Sequence, residues 1–254
     1  DNVATTEINS RLRSVKAALE EELRDSFKNA NWYFKGKLVD SIVGKHANLS
    51  QIASYVADAV YPESPVIHSE LVNRNDISSS ASKAQKDLLH RMLSHADQEN
   101  LGYTAYPADA GLYFTVLQGC KLHRKVKGNW QFCDPLNSTE SNNIVPAWTK
   151  AKEQIFQENA IVSLADLYTL WTEPPYGIKN GLLPIFALAF FLSHRHQLAL
   201  YIENTFTPEL TEAYFDEWLQ DPSRVIWRFV KIEGSEKKML ELLSLALSKR
   251  LNKP

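Results

Sequence analysis

Cysteine is scarce: only Cys120 and Cys133 occur in 254 residues. Two thiols cannot build a disulfide framework, and these two lack the spacing of a metal site. Reduced thiols of a cytoplasmic protein are therefore expected. Long apolar runs are missing as well. The longest, residues 182–192, falls far short of the ~20 residues that a membrane-spanning helix needs, so no membrane association is expected. Residues 1–9 are polar and no apolar run follows them, which excludes the pattern of a secretory signal; an opening at Asp1 rather than methionine suggests a fragment or a processed chain. Charge of one sign is absent too. A net charge of −2 gives no global attraction to nucleic acid or anionic lipid, so any such binding must come from a local patch. The remaining composition, 44% hydrophobic and 23% charged, is that of a globular protein able to bury a core.

The usual catalytic signatures are also missing. Gly44-Lys45 is followed by His46 and lacks the upstream glycine of a phosphate-binding loop. No G-x-G-x-x-G, H-E-x-x-H, C-x-x-C or G-x-S-x-G occurs. His194-Arg195-His196 follow an apolar helix, where positive charge suits the negative end of the dipole better than it suggests metal ligation. His90 and His95 are five apart and do not share a helix face. Glu20, Glu21 and Glu22 look like a solvated face. The sequence thus gives no catalytic residue, no metal site and no cofactor, and the expectation is a protein that is not an enzyme.

What is present is organised around residues 161–209. Ser163 is placed to cap a helix over 164–170, which Pro174-Pro175 stops because proline lacks an N–H and disfavours helical geometry before it. After the turn residues Tyr176-Gly177 and Asn180-Gly181, residues 182–192 are apolar with no polar stripe, the pattern of a helix buried on all sides. Residues 198–202 and Phe206 flank Glu203-Asn204-Thr205 as a hairpin. Helix, turn, helix and hairpin describe a winged-helix-like unit with its second helix as the core.

Earlier in the chain, residues 5–28 carry Ile8, Leu12, Val15, Leu19, Leu23 and Phe27 at helical steps, with charge on the other faces. Such a stripe is expected to pack on its own domain; the alternative is a stalk or coiled coil. The helical pattern continues more weakly through Trp32-Tyr33-Phe34 and 38–43. Asn48 caps a second helix over 49–60, ended by Pro62 and Pro65. Residues 65–74 have no assignable type. Ser78-Ser79-Ser80 begin a helix to about His95, and 97–100 read as a loop. Pro107 is placed at the first position of a helix over 108–117, with Gly119 as its C-cap. Residues 122–126 and 130–133 then form strands around a glycine turn. Gly111-Leu112 before a helix and hairpin thus echoes Gly181-Leu182 before another helix and hairpin. The polar stretch 135–143 reads as a linker. A helix over 146–159 follows it. A further helix begins at Thr207-Pro208-Glu209 and runs to about Gln220. The strand 225–230 is expected to pair with 198–202, and residues 236–251 to close the chain as an amphipathic helix. The fold class expected is mainly α with small β-hairpins: tandem winged-helix-like modules at 63–134 and 146–254 on a helical segment, 1–62.

One basic patch stands out on the first hairpin. Lys121, Arg124, Lys125 and Lys127 suit phosphate contacts, with His123 and Trp130 as stacking partners for bases; the plainer reading is a solvated hairpin. A groove-reading helix shows polar and basic side chains to base edges, and 182–192 offers none.

The run His68-Ser69-Glu70-Leu71-Val72-Asn73-Arg74, Ser78-Ser79, Leu101-Gly102-Tyr103, Tyr106-Pro107 and Leu112-Tyr113 is followed by Pro174-Pro175-Tyr176-Gly177-Ile178 and Gly181-Leu182-Leu183-Pro184. Leu198-Ala199-Leu200-Tyr201 and Phe206-Thr207-Pro208-Glu209-Leu210 complete the order. Together these blocks resemble an accessory region, outside the nucleotide-binding core, of very large P-loop ATPases from bacterial phage-defence islands, the BREX-like group. The similarity covers roughly residues 65–230. It implies an intracellular, helical, winged-helix-like module that meets other domains or subunits of a defence complex in assembly or target sensing. ATPase activity does not transfer, because the ATP-binding motifs are absent. A nucleic-acid-binding module using the basic hairpin is the alternative.

Overall fold

The structure is a computed structural model, which describes residues 2–28, 30–39, 48–136 and 144–231. Its chain divides into two compact units, Asp1–Val60 and Tyr61–Pro254. The helix expected over 236–251 lies outside the described residues, as do 40–43 and most of the polar stretch 135–143.

In the first unit, helix α1 spans Asn2–Lys28. The sequence anticipates its apolar stripe, but not its surroundings: Ile8, Leu12, Val15, Leu19, Leu23 and Phe27 are 49–66% exposed rather than packed. Helical periodicity says which residues share a face and nothing about what covers it. Residues 32–38 are not a weak continuation of the helix either. Strands β1 (Tyr33–Phe34) and β2 (Lys37–Leu38) pair antiparallel around Lys35-Gly36, whose φ values are both positive, the turn that matches strand twist in a two-residue hairpin. Helix α2 (Leu49–Val60) opens with a reciprocal cap: Gln51 N–H donates to Asn48 Oδ1 and Asn48 N–H to Gln51 Oε1, both 2.9 Å. Two of the N–H groups that a helix start leaves unpaired are thereby satisfied.

The second unit begins with an irregular segment over 61–77 and then helix α3, Ser79–Ser94, capped by Ser78 Oγ, which accepts from Ala81 N–H. Helix α4 starts at Ala108 with Pro107 as the residue before it, and runs as α-helix to Leu112 and as π-helix over Tyr113–Gln118. Gly119 does not end it in a left-handed conformation. That role falls to Lys121, with φ 57°, where Leu122 N–H closes onto Leu117 O at 2.9 Å. Strands β3 (His123–Val126) and β4 (Asn129–Phe132) pair across Lys127-Gly128, again with two positive φ values.

Helix α5 (Val145–Ile155) leads to a strand the sequence does not announce, β5 (Ile161–Ser163). Helix α6, Leu164–Thr172, carries the expected Ser163 cap as a full capping box with Asp166. Helix α7 (Leu183–His194) follows a 3-10 turn, Asn180–Leu182, and every residue from Leu183 to Phe191 is buried. Strands β6 (Leu198–Ile202), β7 (Thr205–Thr207) and β8 (Val225–Phe229) complete an antiparallel sheet in the order β5–β8–β6–β7. The expected pairing of the last strand is present, with Leu200 opposite Trp227. The helix expected from Thr207 is shorter: Thr207 ends β7, and α8 covers only Phe215–Gln220 after a 3-10 turn at Glu212–Tyr214.

One hydrophobic cluster runs from Ile67 to Trp227 through both halves of this unit. Phe190 sits among Trp148, Phe156, Trp171, His194 and Trp227, with centroids 4.6–6.4 Å away. Buried Gln85 on α3 donates to Gly181 O at 2.8 Å, and Gly181 N–H donates to Arg74 O at 3.0 Å, joining α3 and the 61–77 segment to the start of α7. Among the described residues no helix is long and apolar enough to cross a membrane.

Candidate binding grooves beside the basic hairpin

The β3–β4 hairpin does not present its cations as a uniform patch. Arg124 is half-buried, and its Nη1 donates to the carbonyls of Lys121 and Asp134 at the hairpin base. Lys121 is half-buried in the left-handed turn. Only Lys125 and Lys127, of the four expected phosphate ligands, are exposed at the tip, and among the described residues neither makes an ion pair.

His123 corrects the sequence expectation. The sequence offers it as a stacking partner for bases, but it is buried. Its Nε2 lies 2.9 Å from Ala96 O, so Nε2 carries the proton, and Nδ1 then accepts from Tyr113 Oη at 3.0 Å. Burial pushes its pKa down against the bond to Ala96, and the ring is held neutral in the core. Trp130 stacks on this ring, 5.4 Å between centroids and 27° between planes, which occupies one of its faces.

Behind the hairpin sits a junction that no sequence pattern marks. Asp134 lies two residues beyond the end of β4. Its Oδ1 accepts from Trp148 Nε1 and His194 Nε2, both at 2.9 Å, and its Oδ2 accepts from Lys152. His194 Nδ1 also faces an acceptor, Phe190 O, at 2.9 Å. Burial raises the Asp134 pKa, but the bonds from His194, Lys152 and Trp148 outweigh it and hold the carboxyl well below the usual carboxylate range. A carboxylate so depressed is a poor general base. Its role is to fasten the hairpin base to α5 and to the end of α7. Burial lifts the Cys120 thiol to about 12 and raises that of Cys133, so neither is an activated nucleophile. Among the described residues no cluster of metal-ligating side chains occurs.

Acid should expose both groups. His123 and Asp134 each bind fewer protons folded than unfolded, so stability rises with pH through their titration. The His123 contribution is complete above its ordinary 6.5 and declines below it; that of Asp134 is complete above 3.8 and declines as pH falls further. Urea unfolding from pH 8 to 3 should show both losses. His123→Gln is expected to flatten the upper one and Asp134→Asn the lower. Unchanged profiles in both variants would mean that neither group is linked to folding.

Two grooves meet at the C-terminal ends of α3 and α7, sharing Leu93, Ala96, Leu192, Arg195 and His196. The first, about 500 Å³, runs along the β6–β7 side, between Phe191, Leu198, Leu200, Leu210 and Val230. Phe206, 54% exposed, forms its lip, and Arg195 and Glu209 are its charged border, with His196 beside them. The second, about 510 Å³, lies on the hairpin side with Trp130, Gln131 and Phe132, and is more polar, with Ser94, Asp97 and Ser193. Sequence reading missed both, because each is assembled from segments far apart in the chain. An aromatic side chain at Phe206, in the middle of the short strand β7, was the one local signal. Comparison with protein-family models, curated proteins and solved structures finds no match to this chain.

Proposed function

We propose that this chain is a non-catalytic accessory module of a large P-loop ATPase in bacterial antiviral defence, acting in the cytoplasm by docking another domain or subunit of that complex. The observation that carries the docking role is the apolar groove with Phe206 on its lip. A solvent-facing aromatic beside a concave apolar surface is the kind of anchor on which protein interfaces concentrate their energy. Two of the sequence blocks that resemble the defence ATPases, 198–201 and 206–210, supply much of this groove. The winged-helix-like description rests on element order: α5, β5, α6, α7, β6 and β7 follow a helix–strand–helix–helix–hairpin plan, and α3, α4, β3 and β4 a shorter form of it. Insertion of β8 between β5 and β6 departs from that plan. Because α7 is enclosed, such a unit would serve packing rather than base readout.

The test is co-purification with the P-loop ATPase domain encoded by the same polypeptide or operon. The wild-type chain should elute with that domain, and Phe206→Glu, a change at an exposed site, should release it. The chain alone should not turn over ATP. No association, or ATP turnover abolished by a point substitution in this chain, would overturn the reading.

The polar groove, lined in part by the strand β4 of the hairpin that carries Lys125 and Lys127, supports a second reading, a nucleic-acid contact by the hairpin. Two phosphate contacts would contribute about 1.8 to the slope of log affinity against log salt on duplex DNA. Lys125→Ala with Lys127→Ala would then weaken binding to all sequences and lower that slope by this amount. The expected result is negligible wild-type binding at physiological salt, unchanged in the variant. Arg124 is excluded from this comparison because its bonds hold the hairpin base.

A further inference from the structure

The exposed stripe of α1 has an internal order that selects its partner. Ile8 and Phe27 are equidistant from a point between Ala17 and Ala18, and so are Leu12 and Leu23; Val15 and Leu19 are centred within half a residue of it. The stripe is therefore nearly the same read in either direction. Charge is not. Residues 2–16 contain Arg11, Arg13 and Lys16 against one acid, Glu7, whereas 20–25 contain Glu20, Glu21, Glu22 and Asp25 with only Arg24 between. A second α1 laid antiparallel matches apolar to apolar and basic half to acidic half. Laid parallel, it sets cations against cations and carboxylates against carboxylates.

We propose that α1 is a self-association element, pairing antiparallel with α1 of a second copy of this chain. Ile8 then packs near Phe27 of the second copy, Leu12 near Leu23, and Val15 near Leu19. The flanking charges set orientation, as charged positions beside a helix seam do. Arg11 and Lys16 already reach Glu7 and Glu20 within the helix, at 3.0 and 4.0 Å, across exposed, weak pairs that leave their other donors for a partner. The steps between apolar positions are four, three, four, four and four, so the seam is not a strict heptad. It is a short apolar contact rather than a long supercoil.

Sedimentation of the whole chain over a range of concentrations tests this. A reversible dimer is expected. Leu12→Glu with Leu19→Glu, both on the exposed face and so without a folding cost, should raise its dissociation constant by about 100-fold or more. Reversing the basic half (Arg11→Glu, Arg13→Glu, Lys16→Glu) should also separate the copies. Adding Glu20→Lys, Glu22→Lys and Asp25→Lys should restore the dimer. In a mixture, Ile8→Cys should form a disulfide with Phe27→Cys. A monomer at all concentrations, which includes α1 covered by its own chain or by another protein, would overturn the proposal. So would a dimer indifferent to the leucine changes, or one in which Ile8→Cys bonds only to itself.

Discussion

Phe190→Ala should cost about 3–5 kcal/mol of folding stability. The side chain is fully buried, and it touches four aromatic rings besides His194. The Trp227 ring lies nearly parallel to it, 5.8 Å away at 6°. Truncation loses both the transfer of the ring from water and its contacts with neighbours that belong to α5, α6 and β8. Those neighbours are held by other bonds, such as Trp171 Nε1 to Ala147 O at 3.0 Å, and so cannot collapse into the space. Urea unfolding followed by tryptophan fluorescence measures the loss. A change below about 1 kcal/mol would mean that α7 is peripheral to the cooperative unit.

Alanine at Gly181 should be nearly as damaging, and alanine at Gly111 should not. The two glycines occupy matching places in the sequence echo, yet their surroundings differ. A Cβ on Gly181 would lie 2.3 Å from Val72 O and 2.7 Å from Ile77 Cγ2, whereas one on Gly111 meets nothing within 4 Å. Relieving the first clash means parting the 61–77 segment from α7 and stretching the bonds from Gly181 to Arg74 and Gln85. The expected cost is about 2–3 kcal/mol. Gly111 lies exposed in a helix, where alanine recovers backbone entropy, so its substitution should stabilise by about 0.5–1 kcal/mol. Equal effects at the two positions would dismiss the difference in packing.

These glycines also show what the sequence could convey. The caps at Asn48, Ser78 and Ser163 were legible because each depends on chemistry within three residues. The enclosure of α7 was legible because its sequence offers no polar position from Leu183 to Phe191. The turn at Lys127-Gly128 was legible for the same local reason. Long-range decisions were not. Nothing near His123 says that Ala96 O and Tyr113 Oη will meet it, and nothing near Asp134 announces Trp148, Lys152 and His194. His194 was read as a favourable charge at a helix end, which is its local aspect; its partner lies sixty positions earlier. The missing helix at 207–214 has a similar cause: Thr207 is claimed by pairing with Leu200 before it can act as a cap. Of the candidate phosphate ligands, Lys125 and Lys127 remained outward and Arg124 became part of the scaffold.

The enclosure of α7 constrains how this sequence can diverge. A helix with one wet face drifts freely on that face, and its family keeps a recognisable stripe. Here the first nine positions all touch the interior, so acceptable change must come in matched sets, such as a smaller ring at Phe190 with a larger neighbour at Trp148 or Trp227. Descendants would preserve the volume of this region while losing its letters. Related proteins would then share the shape of the core before they shared its sequence.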